Sequence, residues 1–428
     1  MKRAVEAGKT MLVDGPASIT LLAGEVEVLG AKLKTGSKLI IRESKRAPFY
    51  ALTKAEFDVL AGEKGSANDI EGNTIPKSWG DAIQTALNIE GKPAIVMIVG
   101  AIDVGKTSFC AYLANMALRE KRRVAIIDAD LGQSDLGPPS TIGFCRITKP
   151  IGDPFEIEAE DICFIGVTSP SNALSEVIDG ITEMVKKTAK PSIDLLIVNT
   201  DGWVEGEDAV RYKLALAKCI KPNMLIGIQE QSELTFLLGA LAEIQSISIE
   251  SSPAVRKRDR EERKILRELG YKKYLKGAAV QSFPLNWVKV TGVPFGSGSQ
   301  PSRNRIDKIV EQIGTTPLYC EETSNTIFIA LSKEQWADEE IAKTLEGTLN
   351  KKVKIVREGD EEGLLIALYD KDGSFLGIGI IDELDYERQV LKVYTNVKKG
   401  IVSIHVGQVK LDKSGKELEQ SSAFADYT

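Results

Sequence analysis

The residues best equipped for chemistry lie together in the run Gly100-Ala101-Ile102-Asp103-Val104-Gly105-Lys106-Thr107-Ser108. Glycines at both ends of a short loop let successive backbone N–H groups turn inward around a phosphate chain. Lys106 can reach the β and γ phosphates of a bound nucleotide, and the Thr107 hydroxyl can ligate Mg²⁺. A helix starting there adds the positive end of its dipole to the anion site. The run from 100 to 108 is therefore a candidate nucleotide site, with Thr107 as a metal ligand.

Four more clusters bear on chemistry. Asp128 and Asp130 close an apolar run and precede Gly132-Gln133-Ser134-Asp135. A carboxylate there can hold Mg²⁺ or its waters, or accept a proton from an attacking hydroxyl. Thr168-Ser169-Pro170-Ser171-Asn172 offers hydroxyl and backbone donors, and equally suits a helix start capped by Ser171 or Asn172. Asn199-Thr200-Asp201-Gly202-Trp203 ends another apolar run, and an exposed aromatic there can stack a base, a contact worth about 1–3 kcal/mol. Residues 256–276 hold ten Lys or Arg against four Asp or Glu. Arg256, Arg260, Arg263 and Arg267 share one face at helical spacing, although interleaved Glu261, Glu262 and Glu268 also fit a solvated, salt-bridged helix. The one histidine, His405, stands among Val402, Ile404 and Val406 and reads as a strand residue. General-base work near the glycine loop must then fall to a carboxylate, or to no side chain at all.

These residues need strand ends to hold them. From Pro93 to about Gln245, short β-branched runs at 94–99, 123–128, 162–167, 193–199 and 224–228 alternate with helical patterns at 107–120, 172–188, 207–219 and 231–242. Such alternation predicts a mostly parallel sheet with helices on both faces and ligands at the strands' carboxyl ends. Before it, residues 11 to about 50 alternate apolar and polar positions between turn signals, and 52–60 adds a further strand, as in a small β-sandwich. Residues 61–78 read as a loop and 79–88 as a helix. After a strand-like 278–292 and a Gly/Ser breaker at 296–302, a helix near 333–349 and strands at 353–357, 363–369, 374–381, 388–395 and 401–411 predict a β-rich end domain, with a polar tail past Gly415. The expected fold class is α/β: an N-terminal β domain (1–78), a P-loop domain (79–295) with a basic lid at 256–276, and a C-terminal β-rich domain (303–428).

The 428-residue length suits two or three such domains, and 43% apolar with 27% charged residues is the composition of a soluble globular protein. A net charge of −6 confines any nucleic-acid surface to a local patch. Five scattered cysteines without a C-x-x-C pair argue for neither a disulfide framework nor a zinc site. With no apolar signal region and no membrane-length apolar run, the expected location is cytoplasmic, or nuclear where the cell has a nucleus.

In order, GAIDVGKT, DADLGQSD, TSPSN, NTDGWVEG and the Arg-rich segment resemble the RNA 5′-hydroxyl polynucleotide kinases, a family that includes the kinase of mRNA 3′-end cleavage and tRNA-splicing complexes, nucleolar relatives and archaeal counterparts. LVDGPASITLLAGEVEVLGAKL resembles that family's N-terminal β domain and LYDKDGSFLGIGII its end domain. The resemblance implies ATP and Mg²⁺ as cofactors, 5′-hydroxyl ends of RNA (with DNA ends left open) as acceptor, RNA-processing proteins as partners, and no membrane. By position, Lys106 and Thr107 serve phosphate and Mg²⁺, Asp103 takes the loop's acidic position, and Asp130 activates the 5′-hydroxyl and joins the metal ligands. Gln133 and the clasp Thr168-Ser169-Pro170-Ser171 bind the substrate end, although the family's usual clasp is Thr-Pro-Gly. Trp203 matches the stacking aromatic, and Arg258 and Arg263 match paired lid arginines five apart, of which only Arg263 also lies on the helical face read above. Asp201 departs from the family pattern. An alternative is a nucleotide-gated assembly subunit without turnover. A third reading, a GTPase metallochaperone, is disfavoured because the chain has no His/Cys relay and no N-K-x-D motif after a late strand, Asn199-Thr200-Asp201 supplying no lysine.

Overall fold

The computed structural model describes residues 1–293, 295–296 and 298–419, which form two compact units. Residues 1–165 with 169–267 make the first, and 268–428 with 166–168 the second.

In the first unit, the N-terminal segment folds into a four-stranded sheet (Lys2–Val5, Ala55–Ala61, Ala17–Ala23, Lys38–Ile41) and a five-stranded one (Ala31–Leu33, Val26–Val28, Arg46–Ala51, Lys9–Asp14, Ser66–Glu71). Alternation along each strand drives this: Ile19 and Leu21 from one sheet and Met11, Val13 and Phe49 from the other enter one core, while Ser18, Thr20, Leu12 and Asp14 stay partly wet. Phe57 meets Phe49 edge-to-face at 5.9 Å. Residues 61–78, expected as a loop, include the strand Ser66–Glu71. Its pattern (Ser-Ala-Asn-Asp-Ile-Glu) is polar because it pairs only with Lys9–Asp14, at the sheet's edge.

Next comes a seven-stranded sheet in the order 161–164, 141–147, 124–129, 195–200, 94–100, 224–229, 246–250. The strands from 124–129 to 246–250 run parallel; 141–147 pairs antiparallel with 124–129, and 161–164 pairs antiparallel with 141–147 at the edge. Thr141–Ile147 and Ser246–Glu250 are strands the sequence pattern did not reveal, and the helix expected at 231–242 is only Thr235–Ala240. Burial is near complete in Ala94–Gly100, Val124–Ala129 and Leu195–Thr200, which accounts for their unbroken apolar runs.

In the second unit, a six-stranded sheet (279–284, 390–395, 375–385, 364–369, 403–410, 289–291) packs with a three-stranded one (319–322, 326–331, 352–357) and the helices Arg303–Ile313 and Glu339–Leu349. Thr326–Leu331 is buried on both faces: Ile327 and Ile329 pack with the helices' Ile309 and Leu345, and Phe328 and Ala330 with the six-stranded sheet's Ile366 and Leu368. The P-loop domain was expected to reach 295, but Ala279–Pro284 and Lys289–Thr291 are strands of this second unit. The Gly/Ser breaker is tied down, since the Gly296 amide donates to Glu321 at 2.6 Å and Ser299 pairs with Glu322. The tail past Gly415 folds back, with the Leu418 amide donating to Lys410, while residues 420–428 lie outside the described residues. His405 is a strand residue of this unit, its pKa lowered by burial. Among the described residues no helix is long and apolar enough to cross a membrane.

Candidate active site

The glycine loop leaves the carboxyl end of the strand Ala94–Gly100, between Leu195–Thr200 and Met224–Gln229. A Cβ on Gly100 would lie 2.6 Å from the Ile228 carbonyl oxygen and 2.8 Å from Val104, so only glycine fits. Asp103 and Gly105 take left-handed conformations (φ 57° and 97°), and Gly105 stands at the start of the helix Lys106–Arg119. The Lys106 ammonium is nearly buried and donates to the Ala101 carbonyl at 2.8 Å, so the loop folds back on its own cation.

Val124–Ala129 delivers the two carboxylates, and they differ sharply. Asp128 is buried. Its Oδ1 accepts from Asn199 Nδ2 (2.9 Å), and its Oδ2 accepts from the amides of Asp135 (2.8 Å) and Leu136 (3.3 Å). Burial, then the nearby Asp135 and Asp130 charges, push its carboxyl up to about 6. Those bonds make Asp128 the anchor of the following turn. Asp130 is only half-buried: its Oδ1 accepts from the Gln133 amide at 3.1 Å, and nothing among the described residues donates to its Oδ2. Burial raises its pKa, Lys106 opposes that, and Asp201 adds to it. Asp130 is thus the carboxylate with an oxygen to spare for a ligand. Asp201 is committed elsewhere, in a buried ion pair with Lys213 at 2.7 Å.

The lid corrects the helical-face reading. The helix spans Arg260–Tyr274, so Arg256 and Arg258 precede it. Arg256 pairs with Glu262 and Asp14. Arg258 and Arg263 converge on the loop's Asp103, at 2.7 and 3.3 Å, and Arg263 also donates to the Arg258 carbonyl at 2.5 Å. Arg258 reaches the Ser44 carbonyl as well, at 2.7 Å, and the Gln133 side chain donates to the Arg263 carbonyl at 3.1 Å. The five-residue spacing works because one arginine lies in the lead-in and the other a turn into the helix.

One cleft of about 970 Å³ gathers Ile102, Asp103, Gly105, Lys106, Thr107, Ser108, Asp130, Gln133 and Arg258. Its opposite wall is the N-terminal segment, through Val28, Leu29, Ile41 and Lys45 to Pro48. Thr168 to Ser171 and Trp203 do not line it. Ser169 and Ser171 share a hydroxyl–hydroxyl bond at 2.8 Å around the short 3₁₀ turn Pro170–Asn172. Neither Ser171 nor Asn172 caps the next helix, whose N-terminal flank is Ala173. Trp203, expected to be exposed, is half-buried and stacked on Tyr212.

Sequence reasoning missed Asn199, which stands directly beside Asp128 in the parallel register and also approaches Thr107 Oγ1 at 3.4 Å. Neighbouring strand ends were the available signal. It also missed the cationic turn of the N-terminal segment: Arg42 (3.0 Å) and Lys45 (2.9 Å) both pair with buried Asp135. Nothing in the spacing indicates those contacts.

The donor set suits Mg²⁺. Thr107 and Asp130 offer hard oxygens, and Asn199, whose amide nitrogen approaches Thr107, has a buried Oδ1 with no hydrogen-bond partner among the described residues. Among the described residues, no group of three or more His, Cys, Asp or Glu is arranged to hold a metal ion by itself. All five cysteines are free.

Fold and site define a P-loop nucleotide-binding protein. Within that class, residues 100–277 match the family model described as mRNA cleavage and polyadenylation factor CLP1 P-loop. A polyribonucleotide 5′-hydroxyl-kinase of Pyrococcus abyssi is 27% identical over 76% of this chain and 90% of its own length. Its namesake in Pyrococcus horikoshii is 28% identical over 76% and 88%. A solved structure of a wild-type Clp1p–Pcf11p complex shares the fold, with a TM-score of 0.66 at 14% identity over 96% of this chain and 97% of that one.

Proposed function

We propose that this chain is an ATP-dependent polynucleotide 5′-hydroxyl kinase, transferring the γ-phosphoryl group of ATP to the 5′-hydroxyl end of RNA. The observation that carries the reading is the single cleft in which a nucleotide loop, a carboxylate with an unbonded oxygen and a lid arginine meet. The similarity to two polyribonucleotide 5′-hydroxyl-kinases supports it.

In this reading Lys106 leaves the Ala101 carbonyl for the β and γ phosphates, joined by the amides of residues 100–108. Asp130 accepts the proton of the 5′-hydroxyl as that oxygen bonds to the γ phosphorus; the bond to the β–γ bridging oxygen breaks and ADP leaves. Arg258 and Arg263 neutralise charge on the equatorial oxygens and exclude water. Bound Mg²⁺, held by Thr107 and Asp130, would offset phosphate charge. Gln133 and Thr168-Ser169-Pro170-Ser171 hold the acceptor end, and Trp203 stacks its terminal base. RNA-processing proteins as partners, and a place in the cytoplasm or nucleus, belong to the same proposal.

The test is incubation with γ-labelled ATP and a 5′-hydroxyl oligoribonucleotide. Label should move to the RNA, and Asp130→Asn should abolish transfer while ATP still binds. ATP binding without label transfer by the unaltered protein would overturn the kinase and favour an assembly subunit.

A further inference from the structure

Trp203 is held by residues that the phosphoryl-transfer chemistry does not use. Lys213 lies on the helix Glu207–Ile220, and its side chain is fully buried. Its ammonium donates to Asp201 Oδ2 at 2.7 Å and to the Asp201 carbonyl at 3.2 Å. The Tyr212 hydroxyl donates to the same carboxylate oxygen at 2.9 Å. Asp201 Oδ1 accepts from the backbone amide of Trp203, also at 2.9 Å. The Trp203 and Tyr212 rings then lie nearly parallel, 22° apart with centroids at 5.9 Å. Both ends of the carboxylate are thus spent, one on the loop that carries Trp203 and the other on the helix beneath it.

We propose that Tyr212, Asp201 and Lys213 form a brace that positions Trp203 as a one-sided stacking platform for the 5′-terminal base of the acceptor. This rests on the kinase reading of the site. The physical case has three parts. An ammonium and a carboxylate taken out of water hold each other tightly, because either one alone would be buried uncompensated. Burial lowers the Lys213 pKa, and Asp201 works against that shift. Gly202 lets the loop press on the nucleotide loop, since a Cβ there would stand 2.9 Å from the backbone of Ile102. The platform is therefore fixed relative to Lys106 and Thr107 before any substrate arrives. Finally, Tyr212 covers one face of the indole, leaving the other for a single base, a contact that tolerates any base identity. Tyr212 and Lys213 are positioning residues and touch no substrate.

The test measures binding of a labelled 5′-hydroxyl oligoribonucleotide by fluorescence anisotropy, with transfer kinetics in parallel. Tyr212→Leu should weaken oligonucleotide binding roughly two- to tenfold, the range of an aromatic pair, while ATP affinity stays within twofold. Tyr212→Phe, which keeps the ring, should recover most of the loss. With an oligonucleotide lacking its 5′-terminal base, the difference between the unaltered protein and Tyr212→Leu should vanish. An equal loss on the abasic substrate, unchanged binding by Tyr212→Leu, or ATP affinity falling in step would overturn the brace. Lys213→Met should reproduce the Tyr212→Leu pattern if it folds, and the tyrosine variants decide the matter if it does not. Binding reads the brace even if no phosphate is transferred, so failure of the kinase reading and failure of this inference give different results.

Discussion

Replacing Asp135 by Asn tests whether the N-terminal β segment is electrostatically locked to the P-loop segment. Asp135 is 3% exposed, yet it receives Arg42 Nη2 at 3.0 Å and Lys45 Nζ at 2.9 and 3.1 Å. Arg42 also stacks 3.7 Å from the centre of the Phe155 ring and reaches Asp153 at 3.3 Å. Burial alone would raise the Asp135 pKa, but Lys45 and Arg42 outweigh it and hold the group at about 2, against 3.8 for a free side chain. At ~1.4 kcal/mol per pKa unit, that gap is worth about 2 kcal/mol at neutral pH. The folded pKa is the lower one. The stabilisation is therefore complete above the unfolded value and drains away as pH falls toward 2, reaching about half its size near pH 3. Asp135→Asn also leaves Lys45 without its carboxylate and Arg42 with Asp153 alone, so the total loss at pH 7 should approach the ~3 kcal/mol typical of a broken buried pair. Urea unfolding followed by circular dichroism at pH 7, 5 and 3 gives the comparison. The gap between the two proteins should be large at pH 7 and 5 and should narrow at pH 3. A gap that does not change with pH would refute the charge argument, and a gap under about 0.5 kcal/mol would make the pair no more than a surface contact.

Three further expectations concern the site. Asp130 must be ionised to accept a proton, and its raised pKa places the acid limb of kcat/KM above the ordinary carboxylate value of 3.8, with activity falling as pH drops through it. A pH–rate profile with no limb above 3.8 would remove Asp130 from the base role. Arg258→Lys keeps the charge but cannot reach Asp103 and the Ser44 carbonyl from one planar fork, so transfer should fall at least about a hundredfold with much less change in ATP affinity; single-turnover rates and a nucleotide-binding isotherm separate the two. Gly202→Ala drives a methyl against Ile102, costing about 1–3 kcal/mol of strain, and should impair ATP and oligonucleotide use together. Loss of oligonucleotide use alone would mean that the loop yields without disturbing Ile102.

Local signals carried the sequence reading as far as local physics reaches. Gly100, Gly105, Lys106 and Thr107 were legible because a phosphate loop needs a left-handed turn, a cation and a hydroxyl within a few residues. The arginine pair 258 and 263 came from family resemblance, whereas helical spacing alone misled, because the helix begins only at Arg260. Contacts between distant segments left no trace in the pattern. Asp135 meets Arg42 and Lys45 across 93 and 90 residues at no periodic spacing, and Asn199 meets Asp128 only because their strands are neighbours. Thr141–Ile147 escaped notice because it joins antiparallel, outside the strand–helix alternation that marked the parallel strands. Trp203 looked exposed, since a loop sequence says nothing about the tyrosine on the following helix.

The acid inside the nucleotide loop ties these parts together. Asp103 occupies a left-handed turn, and its two oxygens receive Arg258 and Arg263 while Lys106 rests on the Ala101 carbonyl. The cations a triphosphate needs are thus already gathered at the loop, each on a temporary acceptor. Polyphosphate carries more charge than one carboxylate, so it can draw these groups from their partners by short shifts rather than by ordering a disordered segment. The side-chain entropy that would otherwise be lost on binding has been given up in folding, where burial of the surrounding N-terminal and P-loop walls offsets it. In the brace proposed above, Asp201 and Lys213 fix the Trp203 loop in the same way. Both halves of the site follow one logic: a carboxylate sets cations or rings in place ahead of the ligand, so that binding selects a geometry that already exists.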